Sequence, residues 1–173
     1  MKWKDKLIKQ TYEALKNDKY WSKRFAVEIN NGLANIHLAI FNEPFLNLMY
    51  IYKKTIESRF SINNVVPFNR IAAGDIVLVK RSGGNVEAIF VADNIRFFRN
   101  LTLDKVTELE KEYGGKIGWN VDPEFLSNKS GAMYLTLIGI SHLTKITPIS
   151  TEKKDKTGWS IVKLGLRNTL FEI

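Results

Sequence analysis

The spacing of apolar residues along the chain changes at Gly32, from the period of a helix to that of a strand. This change constrains the fold more than any other feature. Before it, apolar residues at helical spacing predict an amphipathic helix over 3–16 and a second over 20–30, closed by an Asn-Asn-Gly sequence. After it, apolar and polar residues alternate, as they do in β-strands. We therefore predict a basic helical N-terminal extension over 1–32 and a single domain over 33–173.

Strand and helix patterns interleave in the first half of this domain. A strand is predicted over 34–41. The helix after it has Asn42 as its N-cap and Pro44 in its first turn. The next strand covers 54–61, and a loop over 62–73 follows it.

The second half is richer in strands. A Gly-Gly-Asn turn at 83–85 joins two strands into a hairpin. A helix capped at Thr102 and stopped by Gly114 and Gly115 follows, and after it an irregular segment with a helical turn near 122–126. The last predicted elements are a long strand, a loop and a short strand, over 132–146, 147–158 and 159–164. Because helices do not alternate regularly with the strands, the pattern excludes a doubly wound parallel sheet and predicts an α+β fold, a small mixed or antiparallel β-barrel decorated by helices.

The positive charge is concentrated at the N-terminus. The formal net charge is +8, and residues 1–24 hold eight of the 26 basic side chains but only three of the 18 acidic ones. Basic charge attracts phosphate backbones without giving specificity. A solvated helix face explains the same pattern equally well.

Several classes of protein are excluded by what the sequence lacks. Without cysteine there is no disulfide, no Cys-ligated zinc and no thiol nucleophile, which fits a reducing compartment. The N-terminus has no apolar signal region, and no apolar run approaches the ~20 residues that span a bilayer. We expect a soluble cytoplasmic protein that does not contact membranes.

Neither a metal nor a cofactor is expected. His37 and His142 are the only histidines, and each lies among apolar neighbours in a strand pattern. That setting favours partly buried, hydrogen-bonded histidines over zinc ligands. No phosphate-loop, dinucleotide-binding, zinc-protease or EF-hand motif is present, and the two glycines at 83–84 fit a hairpin turn.

Charged residues cluster in the strand 54–59. Alternation would place Thr55, Glu57 and Arg59 on one face and Lys54 on the other. Burying these charges unpaired would be costly, so they must pair with one another or with a polar ligand. The alternative is an exposed strand whose charges pair across to its neighbours.

This strand resembles a family signature. Lys54, Thr55, Glu57 and Arg59 match the Gly-x-Lys-[Thr/Ser]-x-Glu-x-Arg-like pattern of the ASCH domains, a PUA-like group, although Tyr52 replaces the glycine. Two later segments, PFNRIAAGDIVLVKRSGG and EKKDKTGWSIVKL, resemble further parts of the family in the right order. The likeness covers roughly residues 34–164.

The resemblance implies a small β-barrel with a cleft whose floor is the signature strand. PUA-like domains generally bind RNA, often cradling a base, so the implied partner is RNA or a nucleoside-like or nucleotide-like ligand. The expected ligand-binding residues are listed here by position along the chain: Lys54, Thr55, Glu57, Arg59, Arg70, Arg81 and Trp159. Arg70, with Lys80 or Arg81, would form the rim, unless these are ordinary surface charges. Trp159, Phe60 or Phe68 would stack on a base, unless these aromatic residues belong to the core.

An enzyme is the main alternative. Some small ASCH proteins hydrolyse N4-acylcytidines with a lysine, a threonine and a glutamate, and ribonuclease activity is also attributed to the group. The lysine corresponds to Lys54, but Glu57 stands where those hydrolases have threonine. As a hydrolase or ribonuclease, the chain would use Glu57 as general base and Lys54 for the oxyanion, with a further acid near Glu108 or Glu112.

A protein-interaction module that uses the N-terminal helices is a third possibility. It differs from the other two because it needs no cleft. The sequence leaves the oligomeric state open.

Overall fold

A computed structural model describes residues 2–153 and 157–168. Its helices and strands, in chain order, are α1 (Trp3–Leu15), α2 (Trp21–Asn31), β1 (Ile36–Phe41), α3 (Phe45–Tyr50), β2 (Ile56–Ser61), β3 (Ile76–Arg81), β4 (Val86–Arg99), α4 (Leu103–Ile117), β5 (Tyr134–Ile149) and β6 (Trp159–Lys163). Part of the predicted loop over 147–158, and with it part of the EKKDKTGW segment, falls on residues 154–156, outside the described ranges. No helix within those ranges is long and apolar enough to cross a membrane.

The strands form one mixed sheet. Its hydrogen-bonded order is β2-β5-β4-β3-β1-β6. β1 and β3 run parallel, in a register that pairs Ile36 with Ile76 and Phe41 with Arg81. The pairs β1–β6, β2–β5 and β3–β4 are antiparallel. The α+β class and the mixed sheet are thus confirmed, and so is the predicted hairpin, whose Gly83 has the positive φ that its turn requires.

The chain divides into two compact units. Unit 1 comprises Met1–Phe41, Gly74–Val91 and His142–Ile173, and unit 2 comprises Asn42–Ala73 and Ala92–Ser141. Strands β4 and β5 contribute residues to both. The separation of an extension over the first 32 residues from a domain over the rest stays a prediction.

The N-terminal helices belong to the core of unit 1. Their buried side chains, together with those of β1 and β3, form one cluster that includes Leu7, Leu15, Trp21, Phe25, Ile36, Leu38, Ile76 and Leu78. Burying each large apolar side chain stabilises the fold by roughly 1.5–3 kcal/mol. The inward faces of α1 and α2 are therefore already occupied, and only their outward faces remain for a partner.

The end of α2 explains why Gly32 is a glycine. A Cβ at this position would overlap the Glu28 carboxylate. Glu28 forms an ion pair with Arg24 and accepts the backbone N–H of Ala34 at 2.9 Å. The backbone of Gly32 is extended (φ −71°), so close approach to Glu28, and not a left-handed cap, accounts for the residue.

A buried polar network around Asp75 links several segments of unit 1. Asp75 Oδ1 accepts the backbone N–H of Asn35 at 2.8 Å, and Arg167 Nη2 lies 2.9 Å from both Asp75 oxygens. Trp159 Nε1 donates to His37 Nδ1 at 3.1 Å. An indole N–H can only donate, so the proton of the imidazole is on Nε2, which donates to Asp75 Oδ2 at 3.1 Å. His37 is fully buried, deeper than the sequence suggested.

In unit 2, the start of α3 differs from the prediction. The helix begins at Phe45 with Pro44 as its N-cap residue, so Asn42 is not the N-cap. The Asn42 carbonyl instead accepts the N–H of Leu46 in the preceding turn. The Glu43 carboxylate accepts the N–H of Asn47 at 3.0 Å, which supplies the capping bond from a neighbouring position.

Helix α4 is longer than predicted. It begins as expected after Thr102, whose side chain accepts the N–H of Lys105 at 3.2 Å. It then continues through Gly114 and Gly115 and ends at Ile117, with Gly118 (φ +87°) as its C-cap. A glycine inside a helix costs about 1 kcal/mol. The helix continues because its last turns are buried in the core of unit 2, with Tyr113, Ile117, Trp119, Leu135 and Leu137.

The elements after α4 follow the predicted order with shifted bounds. Two short 3-10 turns, Trp119–Val121 and Ser127–Lys129, flank the segment 122–126, where a helical turn was expected. Strand β5 ends at Ile149 and so includes three residues predicted as loop.

Candidate functional site

Lys54 is the centre of a buried ionic cluster in unit 2. Its Nζ lies 3.0 Å from Glu57 Oε2 and donates to the carbonyls of Ile56 at 2.9 Å and Ile117 at 2.8 Å. The same ammonium stands 5.5 Å from the centre of the Phe45 ring. Three acceptors for three N–H groups satisfy a charged ammonium completely.

Glu57 has a cation at each carboxylate oxygen. Oε1 lies 2.6 Å from Arg59 Nε, while Oε2 faces Lys54. Burial by itself would raise the pKa of Glu57, but the attraction of Lys54 and Arg59 holds it below its usual range. Burial lowers the pKa of Lys54, and its attraction to Glu57 offsets only part of that effect. A carboxylate so stabilised is a weak base.

The predicted alternation fails at the start of this strand. β2 begins only at Ile56, so Lys54 and Thr55 precede the regular strand. Lys54 consequently reaches Glu57, although alternation put the two on opposite faces. Thr55, expected beside Glu57, is exposed. The extended pattern of a sequence does not show where the ladder begins, and this is the reason for the error.

The residues just before β2 are hydrogen-bonded to the end of α4. The N–H of Thr55 donates to the Lys116 carbonyl at 2.8 Å, next to the Ile117 carbonyl that accepts from Lys54. The Thr55 carbonyl accepts the N–H of Ile140 at 3.0 Å. Thr55 is thus fixed between α4 and β5.

A polar pocket of about 420 Å³ lies beside Thr55 and Lys116. Its lining includes the apolar side chains of Ile56, Leu137 and Ile140. Hydroxyl, amide, carboxylate and cationic groups also line it, from Thr55, Asp93, Asn94, Arg96, Tyr113, Lys116 and Ser141. A concave site that combines apolar and polar groups can bind a small molecule.

Arg96 is one of two cations that line the pocket. Its Nη1 contacts the Tyr113 hydroxyl, and its guanidinium lies 5.1 Å from the centre of that ring. Glu112 Oε1 is 3.9 Å away, and both side chains of this pair are 55% exposed. A hydrogen bond with Glu112 raises the pKa of Tyr113, so the phenol stays protonated. The exposed pair is weak, so Arg96 can turn to an anionic ligand.

Of the residues predicted to bind a ligand, only Thr55 lines this pocket. The structure brings Lys54, Glu57 and Arg59 together, but as a cluster in which Lys54 and Glu57 are buried. Arg70 is exposed in the loop before Gly74. The predicted ligand contacts of these residues stay predictions.

Two further predicted ligand residues belong to unit 1 and have partners there. Arg81 Nη2 lies 2.8 Å from Glu87 Oε1. Trp159 is buried and hydrogen-bonded to His37, which places its indole in the core. Its role in base stacking stays a prediction that this packing disfavours.

The other aromatic candidates pack within unit 2. Phe68 is buried, with ring centres 5.2 Å from Phe97 and 4.9 Å from Tyr134. Phe60 lies 5.5 Å from Trp119. The alternative that these rings belong to the core therefore describes Phe68, whereas Phe60 is only partly buried and also lines a separate pocket of about 510 Å³.

The two candidates for the predicted second acid, Glu108 and Glu112, lie in different environments. Glu112 reaches the pocket through Arg96, whereas Glu108 pairs with Lys105 at 3.0 Å on the surface of α4. Among the described residues, no group of three or more His, Cys, Asp or Glu side chains is placed to hold a metal ion.

Sequence reasoning missed Arg96, Tyr113 and Lys116. One available signal was Gly139, a glycine inside a strand pattern, which often marks close approach of another backbone. A Cβ on Gly139 would stand 2.8 Å from the Asp93 carbonyl oxygen. The glycine thus indicated that another segment of backbone must approach β5 closely at this point.

Solved structures with a similar fold include the ASCH protein of Zymomonas mobilis. The match has a TM-score of 0.57 and 14% sequence identity, and covers 73% of this chain and 87% of that one. The chain has the fold of an ASCH domain. Two variants of the Zymomonas protein agree, with TM-scores of 0.56 and 0.59, identities of 15% and 14%, and coverage of 79% and 80% of this chain and 94% of each variant.

The likeness to the ASCH fold is structural. No family model matches the sequence, and no curated protein does. At 14–15% identity the shared fold carries no activity with it. The function must therefore come from the chemistry of the site.

Proposed function

We propose that this ASCH-fold protein binds RNA or a nucleotide-derived ligand in the pocket beside Thr55. The observation that carries the proposal is the combination of two cations, Arg96 and Lys116, with apolar side chains in the lining of one concavity of about 420 Å³. A nucleotide presents both matching features, an anionic phosphate and a flat apolar base face.

The individual groups support particular contacts. The Arg96 guanidinium can hold two phosphate oxygens at once, and Lys116 adds a point charge. Asp93 accepts and Asn94 both donates and accepts hydrogen bonds, so these side chains can read the edge of an unpaired base. Ile56 and Leu137 would lie against the base face.

The buried cluster would act by positioning. Lys54 binds the Ile117 carbonyl while Thr55 binds the neighbouring Lys116 carbonyl, so the cluster fixes one wall of the pocket. In this proposal Lys54, Glu57 and Arg59 hold Thr55 and Lys116 in place, and do not themselves need to contact the ligand.

The test is binding of fluorescent single-stranded RNA and of nucleoside monophosphates, followed by anisotropy and calorimetry at several salt concentrations. Replacing Lys116 or Arg96 with Ala should weaken binding about 5- to 10-fold or more, since charge-assisted hydrogen bonds are lost. Lys111→Ala is the matched control, because it removes the same charge from an exposed site on α4 outside the pocket.

The salt dependence gives a second criterion. Each lost phosphate contact should reduce the slope of log affinity against log salt by about 0.7 for single strands. Equal affinities and slopes for wild type, Lys116→Ala, Arg96→Ala and Lys111→Ala would refute the proposal.

The geometry favours binding over the hydrolase alternative. With a cation at each oxygen and a lowered pKa, Glu57 is poorly suited to take a proton from water. We therefore expect no turnover of N4-acylcytidines or labelled RNA. Turnover that disappears in a folded Glu57→Gln variant would reverse this choice.

A further inference from the structure

Unit 1 carries an exposed pair of stacked aromatic rings. The rings of Tyr20 and His142 are 4.3 Å apart and within 7° of parallel. Tyr20 is 39% exposed, and His142 is also exposed. A stacked pair at the surface, unlike one in the core, leaves an outer ring face available to another flat group.

The Tyr20 side of the pair is held by local contacts. Asp18 Oδ1 accepts the backbone N–H of Tyr20 at 2.9 Å and that of Trp21 at 2.7 Å. The buried Trp21 ring meets the Tyr20 ring edge-on, with centres 5.1 Å apart. Tyr20 is thus anchored to a core residue.

The His142 side is held by the same tryptophan. Trp21 Nε1 donates to Thr144 Oγ1 at 2.9 Å, and that hydroxyl donates to the His142 carbonyl at 3.2 Å. His142 has a φ of +51°, which few residues other than glycine adopt. Outliers of this kind cluster at functional sites. The two rings are therefore preorganised before any ligand arrives.

Two exposed lysines lie close to Tyr20 along the chain. Lys19 precedes Tyr20, and Lys23 stands three residues after it, on the same side of α2; both are exposed. They belong to residues 1–24, where basic side chains outnumber acidic ones by five. Cations beside an exposed aromatic face are the combination with which proteins hold single strands.

We propose that the Tyr20–His142 pair is a stacking platform for an unpaired base of a single-stranded nucleic acid, with Lys19 and Lys23 contacting its phosphates. The platform is a separate site from the pocket of the proposed function. It requires no cleft, and it gives a specific role to the basic N-terminal region.

The experiment uses the full chain and a short oligouridylate that carries one 2-aminopurine, whose fluorescence falls when it stacks. RNA and DNA of the same sequence, and the corresponding duplex, are compared. Tyr20→Leu should weaken single-strand binding about 5- to 100-fold and abolish the quenching, whereas Tyr20→Phe should keep both. His142→Leu should weaken binding in the same direction.

Tyr12→Leu is the matched control. Tyr12 is an exposed tyrosine on α1 in the same unit, 36% exposed, and its replacement should leave binding unchanged. Near-ultraviolet circular dichroism verifies that each variant is folded. Duplex binding should not depend on Tyr20, because paired bases are not free to stack.

The outcomes separate the platform from the pocket. Wild-type affinity and quenching in folded Tyr20→Leu, or no binding of single strands by the wild type, would overturn the platform. Weakened binding in Tyr20→Leu alongside unchanged binding in Arg96→Ala would support the platform and count against the pocket. Equal effects on RNA and DNA indicate that bases are read, while an effect on RNA alone indicates added contacts to the 2′-hydroxyl.

Discussion

Two buried carboxylates, Glu57 in unit 2 and Asp75 in unit 1, are stabilised in different ways. Glu57 meets two long cationic side chains, Lys54 and Arg59. Asp75 accepts from a backbone N–H and from an imidazole, and it pairs with the cation Arg167.

The partners of the two carboxylates differ in kind. Those of Glu57 are long cationic side chains, whereas Asp75 also accepts from the backbone N–H of Asn35 and from the buried imidazole of His37. A satisfied buried network makes the surrounding core rigid. The Glu57 cluster instead holds Lys54 against the Ile117 carbonyl, next to the pocket, which is consistent with the proposed function.

The largest effect is expected for Asp75→Ala. Asp75 is completely buried, and its loss leaves Asn35, His37 and Arg167 without their acceptor. Breaking a buried pair from one side costs about 3–5 kcal/mol. Urea unfolding measures the loss, and Asp5→Ala, at an exposed site in the same unit, should change stability by less than about 0.5 kcal/mol.

A smaller loss is expected for Glu57→Gln, about 3 kcal/mol at the lower end of that range. The amide keeps one acceptor for Lys54, and Arg59, whose side chain is 20% exposed, can turn towards water. Glu124→Gln, at an exposed position in unit 2, is the control. If Glu57→Gln destabilises the protein as much as Asp75→Ala, the proposed difference in how the two carboxylates are stabilised is wrong.

The smallest effect is a change in acid sensitivity. The pKa of Glu57 is lower in the folded state than its ordinary value of 4.5, so its contribution is complete above that value and is lost as pH falls through the folded-state pKa. Unfolding free energies measured by urea from neutral to acidic pH should therefore fall less steeply for Glu57→Gln than for wild type. Parallel curves would show that Glu57 is not held ionised.

Local patterns predicted much of the fold. The spacing of apolar residues predicted the bounds of α1 and α2 to within one residue, because each helix has one apolar face and a clear end. The hairpin at Gly83 and the cap at Thr102 were predicted equally well. In each case the interactions that form the element involve residues close together in the sequence.

Elements whose bounds depend on distant partners were predicted poorly. Helix α4 passes Gly114 because the following turn is buried in the core of unit 2. The ladder of β2 begins at Ile56, where pairing with Gly139 starts. None of these partners is visible from the local sequence.

The sequence by itself determined the α+β class, the basic N-terminal region and the clustering of charge in the Lys54–Arg59 segment. These depend on composition and on spacing along one stretch of chain. Only the tertiary structure decided that Lys54 and Glu57 are buried while Thr55 faces a pocket, and that Arg96 and Lys116 stand beside it. The physical reason is that burial and pairing depend on which segments meet, and residues 55, 96, 116 and 139 meet only when β2, β4, α4 and β5 have assembled.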